Sequence, residues 1–123
     1  MRTDIEKFRK LEVWRKAHAL VLATYEVTKK YPDDEKYGLV SQMRRAAIPV
    51  ASNIAEGTDR PSQRDRLHFH DMARTSLGEL KYQILLSYDS KYMTTSTAKH
   101  LTECAREVGR MLRGLDRSLP LTA

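Results

Sequence analysis

Apolar residues recur every three or four positions along most of the chain, with polar residues between them. This spacing matches the ~3.6-residue period of an α-helix, and the strict alternation typical of a half-buried strand does not occur. Short turns interrupt the pattern, which therefore predicts four helices, over residues 10–30, 35–56, 62–88 and 95–117. They are predicted to form a single domain over residues 1–123.

The turns between these helices carry residues that commonly end or begin a helix. Pro32 disfavours helical geometry in the residue before it, and the aspartates at 33–34 are suited to cap the next helix. Gly57 adopts the left-handed conformation readily, so it predicts the end of the second helix. Ser62 and Asp65 resemble a capping box at the start of the third helix.

Each predicted helix has one apolar face when its residues are projected at ~100° per position. The faces consist of Val13, Trp14, Ala17, Leu20, Val21, Thr24 and Thr28; Leu39, Val40, Met43, Ala46, Ala47, Val50 and Ile54; Phe69, Ala73, Ser76, Leu77, Leu80, Ile84 and Ser87; and Leu101, Cys104, Ala105, Val108, Met111, Leu112 and Leu115. Amphipathic helices of this length with short connections pack antiparallel to their neighbours. The predicted fold is all-α, an antiparallel up-down-up-down four-helix bundle.

Residues 41–60 place a proline, Pro49, well inside the second helix. Proline removes one backbone donor and crowds the preceding turn, so we expect the helix to bend there. The small residues around it, which let another helix come close, are Ala46, Ala47, Ala51, Ser52 and Ala55. We interpret this segment as a tight helix-packing seam rather than an active site.

Several motifs, taken in order, are similar to those of one known family. They are Phe8-x-x-Leu11-x-Val13-Trp14-x-x-Ala17, Tyr31-Pro32-x-x-Glu35-x-Tyr37-Gly38-Leu39, Gln42-x-Arg44-Arg45-Ala46-Ala47, Asn53-Ile54-Ala55-Glu56-Gly57 and Ala73-Arg74-x-Ser76-Leu77-x-Glu79-Leu80. Over residues 8–92 the chain resembles the bundle family named for proteins encoded in intervening sequences of 23S ribosomal RNA genes. The resemblance implies a four-helix bundle assembled into a five-subunit ring, a homopentamer, and it transfers no catalytic residue.

The same superfamily includes accessory proteins of diversity-generating retroelements. Those proteins resemble this chain in fold and in basic charge, and they act by binding a reverse transcriptase and nucleic acid. The resemblance therefore implies two classes of partner, a nucleic acid and a reverse transcriptase.

The chain is basic, with a net charge of +6 and an isoelectric point near 9.6. Basic residues of the fourth helix project within roughly 40° of a line opposite its apolar face. They are Lys99, Arg106, Arg110, Arg113 and Arg117. Two interpretations stay open: an ordinary solvated face whose cations suit a helix C-terminus, or a ridge that binds phosphates bidentately through arginine.

Arg44 and Arg45 form a second basic pair, in the second helix. We interpret Arg44 as structural, paired with an acid such as Glu79 across the bundle or the ring. Arg45 has either that role or a contact with nucleic acid. Because no RRM or KH motif is present, recognition is expected to depend on backbone charge and shape, with structured RNA favoured over DNA.

No pattern predicts catalysis or metal binding. His68 and His70 lie ~200° apart on a helix and cannot share a metal, and His100 with Cys104 supplies only two ligands. Cys104 falls on the apolar face of its helix, where an inert buried thiol is expected. No phosphate-binding glycine loop or nucleophile motif occurs. We predict a protein that is not an enzyme and that needs no metal and no cofactor.

Leu22, Ile48, Tyr82 and Leu86 lie away from the apolar faces, so a monomer would expose them. Four such residues on a small bundle predict a buried interface in a homo-oligomer. The chain has one cysteine, no long apolar run and no signal-peptide pattern, which predicts a cytoplasmic protein without membrane association.

The first functional hypothesis is a non-enzymatic, basic, ring-forming bundle that binds nucleic acid. The alternative is a protein-interaction scaffold, such as an accessory partner of a reverse transcriptase in a diversity-generating retroelement. A third possibility is a protein with no selected partner.

Overall fold

The computed structural model describes residues 7–118, most of which lie in four α-helices. These are α1 (Glu12–Thr28), α2 (Leu39–Thr58), α3 (Gln63–Asp89) and α4 (Thr95–Ser118), and 3-10 turns occupy Lys7–Lys10 and Asp33–Glu35. No strand occurs between residues 7 and 118. In the same range no helix combines the length and the apolar character that a membrane span needs.

Each helix packs against two others, in the cyclic order α1, α2, α3, α4. Arg44, near the start of α2, donates a hydrogen bond to Thr28 at the end of α1 (3.0 Å). Ser87, near the end of α3, donates to the sulfur of Met43 near the start of α2 (3.4 Å). Neighbouring helices are therefore antiparallel, and the predicted up-down-up-down bundle is confirmed.

The predicted apolar faces form the core. Fully buried large side chains come from all four helices and include Leu20, Met43, Ile54, Leu80, Ile84, Leu101 and Leu112. Five residues of the predicted faces are only partly buried, namely Val21, Phe69, Cys104, Met111 and Leu115. Ala51, His70 and Gly109 are buried although the faces did not include them. Phe69 turns towards the α2–α3 connection instead, where the Arg60 guanidinium lies 4.7 Å from its ring centroid.

The second helix begins at Leu39 and not at residue 35 as predicted. The aspartates at 33–34 form a separate 3-10 turn with Glu35 and do not cap α2. The Glu35 carboxylate provides the cap, because its Oε1 accepts a hydrogen bond from the Leu39 backbone N–H (3.1 Å). Its Oε2 accepts one from the Tyr92 hydroxyl (2.9 Å), which ties this turn to the α3–α4 loop and raises the pKa of Tyr92.

The prediction that Gly57 ends the second helix was wrong. Gly57 is helical and buried, and no described glycine has a positive φ. A Cβ at this position would lie 3.1 Å from the Cβ of Phe69 and 3.5 Å from the Arg66 carbonyl oxygen. The glycine therefore serves close packing between the end of α2 and the first turns of α3, whereas the Ser62 cap predicted for α3 is confirmed by its bond from the Asp65 N–H (3.1 Å).

The second helix continues without interruption through Pro49. The proline cannot donate to the Arg45 carbonyl one turn earlier. Its own carbonyl accepts a hydrogen bond from the Asn53 side-chain amide (2.9 Å) in addition to the helical bond. The bend expected at Pro49 stays a prediction.

Arg44 joins the end of α1 to the start of α2. Its Nε donates to the Thr28 hydroxyl (3.0 Å) and its Nη2 donates to the Tyr25 carbonyl (3.3 Å). The guanidinium also lies 4.4 Å from the centroid of the Tyr25 ring. A cation at these carbonyls complements the negative end of the α1 dipole, and the last turn of α1 has no basic residue of its own.

Thr28→Val keeps the shape of the side chain but removes the acceptor for Arg44. We expect it to lower the free energy of unfolding by about 1–2 kcal/mol, because a hydrogen bond from a charged donor is removed. Urea denaturation at a fixed protein concentration measures the change. Thr24→Val is the matched control, since the Thr24 hydroxyl donates only to the Leu20 carbonyl of its own helix (2.8 Å). Equal decreases in the two variants would contradict the proposed role of Arg44.

A group of charged and polar residues, which we call the clasp, joins α3 to α4 at the opposite end of the bundle. His70 is 3% exposed, and its Nδ1 lies 2.6 Å from Oδ1 of Asp116. Arg74 donates from Nη1 to Oδ2 of Asp116 (2.5 Å) and also pairs with Asp71. Burial lowers the pKa of Arg74, but its hydrogen bonds to Asp71 and Asp116 outweigh this effect and hold the pKa above its ordinary value. The clasp consists of His70, Arg74 and Asp116.

Asp116→Asn should lower the free energy of unfolding by about 2 kcal/mol, because it removes the charge that both clasp partners share. Asp71→Asn is the control, since the Asp71 side chain is 69% exposed and pairs only with Arg74. An exposed ion pair of that kind contributes about 1 kcal/mol or less to the free energy of unfolding. Thermal and urea unfolding of both variants measure the two losses of stability. The proposed role of the clasp is refuted if Asp116→Asn lowers the free energy of unfolding no more than Asp71→Asn does.

Candidate nucleic-acid interface

Basic residues occupy the outer side of α4. We call this set the cationic ridge; it comprises Lys99, Arg106, Arg110, Arg113 and Arg117, all of them exposed. The buried side chains of the helix, those of Leu101, Ala105, Val108 and Leu112, lie on the opposite side. A rise of 1.5 Å per residue separates the two ends of the ridge by about 27 Å along the helix axis.

The acids of α4 are held by partners that leave most of the ridge unneutralised. Glu103 pairs with Arg106 (3.2 Å), and Glu107 pairs with Lys16 of α1 (3.2 Å). Asp116 is turned towards α3 by the clasp. No acid within residues 7–118 therefore pairs with the last three arginines of the ridge.

These last three arginines follow one another at intervals of three and four residues, so they rise about 4.5–6 Å per step along the helix. The Arg113 guanidinium lies beside Gly109, since a Cβ placed there would be in ordinary contact with the Arg113 Nη1 atom at 3.6 Å. Guanidinium groups present a planar fork of donors that fits the oxygens of a phosphate. The arrangement is therefore suited to an extended polyanion.

The two basic residues of α2 have different environments. Arg44 is structural as interpreted, but its partners are the last turn of α1 rather than Glu79, which is exposed on α3. Arg45 is exposed on the outer side of α2 and makes no ion pair with any residue from 7 to 118. Since α2 and α4 are diagonal in the bundle, the structure does not bring Arg45 together with the ridge.

The four residues predicted to form an interface are exposed, at 56% for Leu22, 43% for Ile48, 62% for Tyr82 and 38% for Leu86. They do not form one surface. Ile48 lines an apolar groove of about 450 Å³ between α1 and α2, together with Phe8, Trp14, His18, Val21, Ala51, Ser52, Ala55, Glu56 and Asp59. Leu22 is exposed on α1 and does not line this α1–α2 groove.

Tyr82 and Leu86 lie instead on the outer side of α3, with Leu85 beside them at 53% exposure. We call these three residues the α3 patch. At Gly78, one turn earlier on the same side, no atom of residues 7–118 outside its own helix backbone lies within 4 Å of a Cβ placed there, so another helix could approach closely. The molecule thus presents two apolar surfaces on different sides.

Cys104 is partly exposed and not fully buried as expected. Its Sγ lies 3.7 Å from Nε2 of His100. Burial raises the pKa of the Cys104 thiol, and the Glu107 carboxylate raises it further, so the reactive thiolate is disfavoured at neutral pH. His68 is exposed whereas His70 belongs to the clasp. Among residues 7–118 no three potential metal ligands come together.

A second groove, between the end of α3 and the first half of α4, was not recognised in the sequence. It has a volume of about 480 Å³ and is lined by Tyr88, Thr95, Ala98, Lys99, Thr102, Glu103 and Arg106. We call it the α3–α4 groove. Its aromatic wall, Tyr88, is separated in sequence from the basic residues, and only the packing of α3 against α4 brings them together.

The fold of this chain resembles that of a solved structure. A protein from Bacteroides thetaiotaomicron, described as a protein with unknown function from the S23 ribosomal protein family, shares the fold with a TM-score of 0.77 and 16% sequence identity. The alignment covers 86% of this chain and 99% of that chain. No curated protein matches the sequence. The family described as 23S rRNA-intervening sequence protein, for which no enzymatic activity is indicated, matches residues 9–114, and this chain therefore belongs to that family.

Proposed function

We propose that the chain is a non-enzymatic, basic bundle that assembles into a ring-shaped homo-oligomer and binds nucleic acid through the cationic ridge. The observation that carries the proposal is the exposed run of Arg110, Arg113 and Arg117 without an acid partner between residues 7 and 118. A solvated helix face usually mixes both signs of charge. Here the acids of the same helix are held by Lys16, by Arg106 and by the clasp, so the positive charge stays available to a ligand.

Phosphate is the ligand chemistry that this ridge fits best. Phosphates recur at short, regular intervals along a nucleic-acid strand. Arginines on successive turns of one helix can each contact a different phosphate of that strand. Such contacts recognise backbone charge and shape and do not read the base sequence. Binding is therefore expected to tolerate many sequences and to weaken steeply with salt.

RNA is proposed in preference to DNA. The family is named for intervening sequences of 23S ribosomal RNA, and the solved relative is described as a member of a ribosomal protein family. A cytoplasmic location belongs to the same proposal, since the single cysteine has no partner for an internal disulfide.

Assembly into a ring is supported by the two apolar surfaces. The α1–α2 groove and the α3 patch lie on different sides of the bundle, so one copy can present its groove to the patch of the next copy. Head-to-tail contacts of this kind close into rings when the rotation between copies permits. A five-subunit ring is the expectation from the family resemblance, and it would repeat the ridge around the assembly and raise its avidity.

A protein-interaction scaffold, such as a partner of a reverse transcriptase, is the second candidate. The same exposed apolar surfaces favour it, because a different protein could cover them in place of a second copy. In that case the ridge would serve the partner protein and would contribute nothing to binding free nucleic acid.

The quadruple variant Arg106→Gln, Arg110→Gln, Arg113→Gln, Arg117→Gln tests the ridge. We expect it to weaken binding to unrelated RNA and DNA strands by about tenfold or more. It should also flatten the log–log salt dependence by about 0.7–0.9 for each phosphate that the variant no longer neutralises. Anisotropy titrations at several salt concentrations measure both effects.

A matched control removes the same number of positive charges from a different helix, outside the cationic ridge. Arg9, Arg15, Lys29 and Lys30 are exposed in or beside α1, and their replacement by glutamine should change the salt slope much less. If wild type and both variants bind with equal affinities and equal slopes, the ridge is an ordinary solvated face and the scaffold function is favoured.

Tyr82→Glu tests the proposed assembly, because it places a charge in the centre of the α3 patch, where burial of an unpaired charge is costly. We expect the wild type to sediment as an oligomer and the variant to shift towards the 14.2 kDa monomer. Tyr37→Glu is the control, since Tyr37 is 87% exposed in the loop before α2 and lies outside both apolar surfaces. A wild-type protein that remains monomeric at micromolar concentration would refute the assembly.

A further inference from the structure

The α3–α4 groove contains an aromatic ring in a fixed position. Tyr88 is 40% exposed, and its hydroxyl is within hydrogen-bonding distance of the Thr95 hydroxyl (3.1 Å). This bond limits the movement of the ring while leaving part of its surface open to the groove. Aromatic rings held in this way are the platforms on which single-stranded nucleic acids stack their bases.

The groove and the cationic ridge share residues. Lys99 and Arg106 line the groove and also form the first part of the ridge. They lie seven residues apart, about two helical turns or ~10.5 Å along α4. A strand whose phosphates follow the ridge therefore passes directly over the groove, and its bases come within reach of Tyr88.

Glu103 determines which part of a nucleotide the groove can accept. Its carboxylate lines the groove and is held by Arg106 at 3.2 Å. A carboxylate repels phosphate, so the groove itself does not suit the backbone. It accepts hydrogen bonds from an exocyclic amino group, as acidic side chains do with cytosine. Thr102 and Thr95 offer further hydroxyls in the same groove.

We propose that the α3–α4 groove binds an unpaired nucleobase that carries an exocyclic amino group, with Tyr88 as the stacking platform and Glu103 as the acceptor. This inference rests on the proposed function, because the ridge delivers the strand. It goes further in that it predicts a preference for single-stranded over double-stranded nucleic acid, and for cytosine over uracil.

The test compares three fluorescently labelled RNAs at neutral pH: oligocytidylate, oligouridylate and a mixed-sequence duplex. Cytosine and uracil are both pyrimidines, so their stacking is similar. They differ at position 4, where cytosine carries an amino donor and uracil a carbonyl acceptor, and at N3, which is an acceptor in cytosine and a donor in uracil. We expect Tyr88→Leu to weaken oligocytidylate binding about fivefold or more, the lower end of what one stacked base contributes. Duplex binding should be unchanged, and Tyr88→Phe should retain most of the oligocytidylate affinity, because it keeps the stacking ring and loses only the bond to Thr95.

Glu103→Met provides an independent measurement. It removes the acceptor at nearly constant side-chain size, and it also frees Arg106, so affinity for all strands can rise. The ratio of oligocytidylate to oligouridylate affinity cancels that general effect. We expect the ratio to be about fivefold in the wild type and to fall towards one in the variant. Tyr37→Leu, which alters an exposed tyrosine outside the groove, should leave the ratio unchanged.

The outcomes separate this inference from the proposed function. If the wild type binds all three RNAs through the ridge but Tyr88→Leu weakens none of them, or weakens the duplex equally, the groove site is refuted and the proposed function stands. The site is also refuted if Tyr88→Leu dissociates the oligomer, because Tyr88 is then an interface residue. A wild type that binds none of the RNAs refutes both.

Discussion

The hydrogen bonds of the Asp116 carboxylate to His70 and Arg74 determine much of what the outer side of α4 can do. They anchor the last turn of α4 to the first half of α3 at one end of the bundle. They also hold an acid on the inner edge of α4 that would otherwise lie within reach of the last arginines. One partly buried ion-pair network therefore stabilises the packing and leaves a positive surface outside.

Glycines determine how closely other groups can approach the helices. Gly57 permits close contact between α2 and α3, because a Cβ there would lie 3.1 Å from the Cβ of Phe69. Among residues 7–118, outside the backbone of its own helix, no atom lies within 4 Å of a Cβ placed at Gly78, which belongs to the side of α3 that carries Tyr82. Gly57 serves packing inside the subunit, whereas Gly78 leaves the surface of α3 open beside the α3 patch. This contrast agrees with the placement of the α3 patch.

The periodicity of apolar residues was enough to predict the helices, the bundle and most of the core, because burial of one helix face depends on local spacing. The exposed ridge followed from the same projection. Contacts between residues distant in sequence could not be predicted. Nothing near Arg44 indicates that its partners are Thr28 and Tyr25, and nothing near Tyr88 indicates a neighbouring Lys99. Gly57 shows a further limit, since a glycine near a helix end fits both a cap and a close contact, and only the position of Phe69 distinguishes them.

The bond of Glu35 to Tyr92 has a consequence for how the bundle opens. One carboxylate holds the first N–H of α2 and a tyrosine of the α3–α4 loop, so it links the two loops at this end. The rings of Tyr31 and Tyr92, whose centroids lie 5.2 Å apart, link the same two segments. Local opening of the segment before α2 breaks these contacts together and loosens the loop that leads into α4. Backbone amides of these two segments therefore belong to one cooperative unit of exchange with solvent, although more than fifty residues separate them in the chain.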